Sequence, residues 1–223
     1  MHIASGFLSP PVWGTMAAVS GAALAGSLAA ARRRLDDRVV PLMGVMGAFV
    51  FAAQMVNFPI IPGTTGHLGG GFLLGVLLGP WLGIVVMASV LVVQSLVFQD
   101  GGVEALGANV LTMGIVPCLL GGMVRRLWRK PLWVTRVATV LGGLVAVLVG
   151  ATLVIVFFAF SGYASRLEEG KTMLYALGVM DGVHFLIGAV EGVISLVVIR
   201  FVVGTRAEAV WGVDQTPLAR KAA

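Results

Sequence analysis

Long apolar runs separated by short polar or glycine–proline junctions fill most of the chain, and this spacing predicts membrane-spanning helices. The runs lie near 12–31, 39–56, 68–79, 81–98, 104–124, 132–160 and 172–203, which gives an all-α, polytopic integral membrane protein with about seven transmembrane helices in a single domain, residues 1–223. The stretch 68–98 is divided at Gly79-Pro80, because it is too long for one span and proline ends a helix. The third span is short. Its helix would reach only about 18 Å at 1.5 Å per residue, against a hydrocarbon layer of about 30 Å. The preceding loop, Asn57 to His67, is therefore expected to dip inward, where irregular backbone is tolerated only if protein buries it or it lines a polar cavity.

Composition agrees with lipid solvation: 58% of residues are hydrophobic and only 11% charged, about half the share in a soluble domain. The 31 glycines favour close helix approach in a bilayer. The lone cysteine, Cys118, excludes a disulfide or cysteine-rich metal centre within the chain. The net charge of +5 does not describe a nucleic-acid patch. If residue 1 faces outward, thirteen of the fifteen basic residues lie toward the cytoplasm and only Arg166 and Lys171 lie outside. The N-terminus is thus expected on the periplasmic side of the inner membrane and the C-terminus in the cytoplasm. No basic residue precedes the first apolar run, so no cleaved leader is expected, and the bulky second residue should leave Met1 in place with a free amine.

The most chemically loaded stretch is the first one. A free α-amine followed by His2 offers the amine, the deprotonated His2 amide and His2 Nδ1, which close a five- and a six-membered chelate ring near one plane. One further imidazole completes a planar four-nitrogen set suited to Ni(II) or Cu(II). Only His2, His67 and His184 exist, and His67 lies in the dipping loop on the side of the N-terminus, which makes it the natural fourth donor. The plain alternative is a frayed terminal histidine and a His67 that merely starts a helix. Phe7, Leu8, Pro10 and Pro11 argue against fraying, being apolar and stiff, and residues 1–11 are read as a tucked-in metal-binding segment.

Met1-His2-Ile3 with Gly6-Phe7-Leu8, the stretch from Pro41 to Pro59, Gly66-His67-Leu68-Gly69-Gly70, Leu78-Gly79-Pro80-Trp81, Phe98-Gln99-Asp100-Gly101-Gly102 and Leu106-Gly107-Ala108-Asn109 together closely resemble the CbiM/NikM family. These are the substrate-capture subunits of energy-coupling-factor nickel and cobalt transporters, and the resemblance extends to about residue 200. It implies metal ligation by Met1, His2 and His67, with Ni(II) or Co(II) as transported substrate and no permanent cofactor. It also implies an extra N-terminal helix and three kinds of partner: a transmembrane coupling subunit, ATPase subunits and a small accessory membrane subunit. One departure is visible: family members often carry a carboxylate at the fourth or fifth position, where this chain has Ala4-Ser5.

The remaining polar residues in apolar runs divide into candidates for support and for packing. Asn57 and Thr65 are positioned to orient His67 from outside the ligand set. Gln54, Gln94 and Asn109 read as polar glue between helices. Asp181, His184 and Glu191 share one face of the last span, either as a proton relay or, preferred here, as an interhelical hydrogen-bond cluster. Gly44, Ala48 and Ala52 form a small-residue ladder that serves internal packing or, as the resemblance suggests, contact with the coupling subunit. The ladder Gly14, Ala18, Ala22 and Gly26 reads as internal packing. No Gly-x-x-x-x-Gly-Lys-Ser/Thr loop occurs, so ATP hydrolysis belongs to another chain, and no nucleophile–base pattern of an intramembrane protease is present. A stand-alone channel is disfavoured because a tightly chelated ion leaves slowly. Planar nitrogen ligation favours nickel, with cobalt as the alternative.

Overall fold

The computed structural model describes residues 1–33 and 35–211. Arg34 and most of the 204–223 tail, with Arg220 and Lys221, lie outside the described residues. The chain is mostly helical: α1 (Pro10–Ala31), α2 (Val39–Met55), a two-stranded hairpin of β1 (Phe58–Pro59) and β2 (Thr65–Gly66), α3 (Gly71–Leu77), α4 (Pro80–Val93), α5 (Leu106–Asn109), α6 (Val116–Arg126), α7 (Leu132–Phe160) and α8 (Met173–Arg206). Wide π-type turns extend α4 over Gln94–Phe98 and join α5 to α6 over Val110–Ile115. Among the described residues, five helical rods are long and apolar enough to cross a membrane: Pro10–Ala31, Pro80–Phe98, Leu106–Arg126, Leu132–Phe160 and Met173–Ala209. α2 is apolar but shorter.

The third helix is shorter than the apolar run suggests. Gly70 sits at positive φ, so helical geometry starts only at Gly71, and Gly79, also at positive φ, separates α3 from Pro80. Every residue of α3 is buried. It is held in the centre of the bundle by backbone-to-backbone approach: a side chain on Gly71 would strike the Met113 carbonyl, one on Gly75 the Cys118 backbone, and one on Gly121 the Phe72 carbonyl. The loop before α3 is not irregular throughout, since its tip folds as the β1–β2 hairpin.

α1 lies at the margin of the bundle. Ser9 precedes it as N-cap and Pro10 fills its first turn, where a missing N–H costs nothing. It docks through Ala17 and Ser20 onto Gly107, whose carbonyl accepts from Ser20 Oγ at 2.6 Å. The ladder Gly14, Ala18, Ala22 and Gly26 is therefore not internal packing. Added Cβ atoms at Gly14 and Gly26 meet nothing within 4 Å, and Ala18 and Ala22 are exposed. The small residue that permits close approach belongs to α5 instead.

On α2, Gly44, Ala48 and Ala52 are likewise exposed. Gly44 and Ala48 line an apolar groove of about 380 Å³ against α4, together with Met43, Gly47, Phe51, Val86 and Val90 among others. At the opposite end from the N-terminus, Arg125 is buried, stacks over Trp128 at 4.1 Å and donates to the Trp211 carbonyl at 2.8 Å, so it packs as well as carrying charge.

Candidate metal centre

The first nine residues are threaded into one end of the bundle. Ile3 pairs with Thr64 as an isolated antiparallel bridge beside the hairpin, and Ala4 N–H donates to Gly63 O at 2.9 Å. On the other side Asn109 grips Ile3 twice, accepting its N–H at 2.9 Å and donating to its carbonyl at 3.3 Å, while Gly102 N–H donates to the same carbonyl at 2.8 Å. Phe7 fills the space over Gly63, which has positive φ and no side chain to obstruct it, and stacks against Phe158. Arg166 donates to Gly6 O at 2.7 Å. Glu104 accepts from Gly6 N–H at 2.7 Å and Ser5 Oγ at 3.1 Å, so a carboxylate reaches the segment from a loop although positions 4 and 5 lack one.

This threading brings Met1, His2 and His67 together. The α-amine lies 2.6 Å from His67 Nε2, and the rings of His2 and His67 stack with centroids 4.5 Å apart. Met1 is 1% exposed and both histidines 2%. His67 Nδ1–H donates to Leu68 O at 2.8 Å, which fixes the tautomer and leaves Nε2 as a lone pair toward the amine. His2 Nε2–H donates to Gln94 Oε1 at 3.2 Å, which leaves His2 Nδ1 bare. The His2 amide has no hydrogen-bond acceptor among the described residues, whereas the amides of Ile3 and Ala4 both do. Among the described residues no three His, Cys, Asp or Glu side chains converge as a metal site.

Burial dominates the electrostatics. It lowers the α-amine from 8.0 to about 4, opposed by the nearby charges of Asp100 and Glu191. Burial and the amine lower His2 to about 3, and burial, the amine, His2 and His184 push His67 well below its ordinary value. All three nitrogens are neutral at pH 7, the state a metal requires.

Asn57 and Thr65 do not hydrogen-bond to His67. Asn57 Nδ2 donates to Asp100 Oδ2 at 2.8 Å, and Thr65 contributes its N–H to His2 O at 3.4 Å while its hydroxyl has no partner among the described residues. The backbone just after His67 is held by two residues read as helix glue or packing. Glu191 accepts from Gly69 N–H at 2.5 Å and Gly70 N–H at 2.9 Å, and Gln54 Nε2 donates to Gly69 O at 2.5 Å. Asp181, His184 and Glu191 do not form one cluster. Asp181 accepts from Thr152 at 3.0 Å, and His184 Nδ1–H donates to Met180 O in its own helix. Gln94, Gln54 and Asn109 all serve the terminal segment or its loop. The signal available in sequence was their number in apolar helices near the N-terminal side; their targets are backbone groups, which sequence does not mark.

The family model described as "Cobalt uptake substrate-specific transmembrane region" (CbiM) matches residues 2–209. A Haloquadratum walsbyi protein named for metal transport is 37% identical over 95% of this chain and 94% of its own length. A fused nickel transport protein NikMN of Archaeoglobus fulgidus is also 37% identical, over 94% of this chain and 68% of that protein. A crystal structure of a truncated transition metal transporter superposes with a TM-score of 0.80 at 30% identity, covering 91% of this chain and 98% of that one.

Proposed function

We propose, from the premise that this chain belongs to the CbiM family of substrate-specific transmembrane components in metal uptake, that it captures Ni(II) for an energy-coupling-factor transporter. The observation that carries the reading is the buried α-amine 2.6 Å from His67 Nε2, with His2 stacked on the same imidazole. In this reading Met1 N, the His2 amide, His2 Nδ1 and His67 Nε2 bind the ion. The amine's N–H hydrogen bond to His67 occupies the place the ion takes. A strong-field planar nitrogen set favours Ni(II) over Co(II). Cobalt uptake by the same donors is the second reading, favoured by the family description and by the Clostridium tetani relative named as cobalt transport protein CbiM.

The N-terminal end faces the periplasm in this reading, because Arg166 and Lys171 are the basic residues of its loops while Arg32, Arg33, Arg38, Arg125, Arg126 and Lys130 gather at the other end. Seven helices at the expected positions then span or enter the bilayer. The exposed Gly44–Ala48–Ala52 edge and the groove beside it receive the coupling subunit, ATP is hydrolysed by separate subunits, and a small accessory membrane subunit completes the assembly.

Metal analysis of purified protein under Ni(II)/Co(II) competition tests the substrate. Comparison of His67→Ala with His184→Ala tests the ligands: the first should lose binding and the second retain most of it. Equal losses would move the centre toward α8.

A further inference from the structure

Asp100 has no part in the four-nitrogen set, yet the local backbone is shaped to deliver it there. Gln99, the one non-glycine residue at positive φ among those described, ends the wide turn 94–98, and Asp100 N–H closes back onto Gln94 O at 3.0 Å. Gly101, at φ +89, lies so close to His2 that an added Cβ would sit 3.2 Å from the imidazole. Asn57 holds Asp100 Oδ2 at 2.8 Å, and the other oxygen, Oδ1, then faces His2 Nδ1 at 3.3 Å.

The facing atoms are both acceptors. Gln94 takes the imidazole proton on Nε2, so Nδ1 is bare, and it has no hydrogen-bond partner among the described residues although His2 is 2% exposed. A carboxylate oxygen opposite a bare nitrogen is unfavourable unless a proton or a metal cation lies between them. With metal–nitrogen and metal–oxygen distances of about 2.0–2.1 Å, a 3.3 Å separation corresponds to a nitrogen–metal–oxygen angle of about 105°, a normal cis angle. The other donors are less ready. His67 Nε2 is occupied by the amine's hydrogen bond, and the His2 amide keeps its proton until a metal displaces it. Asp100 is also the more accessible group, with its side chain 11% exposed.

We propose that Asp100 Oδ1 and His2 Nδ1 form the landing position where a divalent cation from outside is first held, before it passes into the nitrogen chelate. The proposal rests on the ligand reading above. The ion exchanges solvent for one oxygen and one nitrogen without any proton loss. The chelate then closes as the His2 amide proton leaves to water and the amine and His67 release one another. Asp100 governs how fast the ion is captured and released, not how tightly it is held at equilibrium.

Stopped-flow mixing of Ni(II) with purified protein in detergent separates these quantities. Asp100→Asn should slow association by about tenfold and, because release retraces the same position, slow dissociation by a similar factor, leaving affinity within about twofold. The defect should persist in about 1 M salt, where the screening length is about 3 Å and long-range attraction is lost. Unchanged association, a defect that vanishes in salt, or slower association with unchanged dissociation would each overturn the proposal. If Asp100→Asn does not fold, Asn57→Ala keeps the charge but frees the carboxylate and should slow association severalfold; wild-type rates there overturn it equally. A one-residue extension before Met1 is the control for the underlying reading. If a protein extended and acetylated at its new N-terminus, which leaves no free α-amine to chelate, binds Ni(II) normally, the chelate is wrong, whereas loss there with wild-type rates in Asp100→Asn removes the landing position alone.

Discussion

Glu191→Gln isolates the buried carboxylate that anchors the His67 loop. In the native protein both oxygens are used, one by Gly69 N–H at 2.5 Å and one by Gly70 N–H at 2.9 Å, in a side chain 3% exposed. Glutamine keeps one acceptor but turns its amide NH₂ toward the other N–H, leaving a buried donor unsatisfied at a cost of about 1–3 kcal/mol. The bond that survives becomes neutral and loses roughly half its strength. A combined local cost near 2 kcal/mol, expressed wholly as displacement of the loop from its metal-competent geometry, would weaken Ni(II) affinity by about thirtyfold as an upper bound. Calorimetric titration of wild type, Glu191→Gln and Glu191→Asp, with His67→Ala as the reference for ligand loss, reads this directly. The loss should be smaller than that of His67→Ala, with one ion still bound per chain. Wild-type affinity and an unchanged unfolding temperature for Glu191→Gln would refute the anchoring argument.

Ala48→Leu should abolish transport and co-purification with partner subunits while leaving Ni(II) binding intact, because the residue is exposed beside the α2–α4 groove and away from the terminal segment; lost metal affinity, or normal co-purification, would assign the edge to something else. Acid should loosen the N-terminal segment. The docked amine and His2 titrate at about 4 and about 3, below their ordinary 8.0 and 6.5, so the released segment binds more protons and docking weakens as pH falls from 8 toward 4. Glu104 acts in the same direction: hydrogen bonds from its own amide and Gly6 lower its carboxyl, and that contribution is lost as pH falls through it. Hydrogen-exchange protection of the Ile3 and Ala4 amides, corrected for intrinsic rates, should fall between pH 8 and 5; pH-independent protection would contradict the neutral buried state. Gly75→Val should prevent recovery of folded protein, since any Cβ there meets the Cys118 backbone, and normal recovery would place α3 elsewhere.

Helix positions were legible because lipid-facing and buried apolar residues both lengthen an apolar run, and Gly79-Pro80 marks a break; the start of α3 at Gly71 instead of residue 68 was not legible, because it is set by the positive φ of Gly70. Which side of a helix packs was less legible. The α1 ladder looks like an interface in sequence, but close approach needs only one glycine in the pair, and here Gly107 supplies it. His2 and His67 stand out in the sequence as candidates because histidines are few and a chelate has a fixed ring size, and the fold brings their rings together. The supporting shell was assigned to the wrong targets for a definite reason. Asn57 is next to the loop in sequence but serves Asp100, while Gln54 and Glu191 come from distant helices to backbone atoms that carry no sequence signature. Asp100 was visible only as part of a recurring motif; its approach to His2 depends on the positive φ of Gln99 and Gly101, which sequence leaves open.

The central claim is that the first atoms of the chain hold the metal, and one alanine inserted between Met1 and His2 tests it most directly. Every side chain remains present. The insertion enlarges the ring joining amine and imidazole and moves the amine from its position 2.6 Å from His67, while residues 10 onward keep their packing. The account predicts folded, membrane-inserted protein with the wild-type unfolding temperature of its helical bundle, no high-affinity Ni(II) binding by the native donor set and no transport. An inserted variant that takes up metal at the native rate would contradict it.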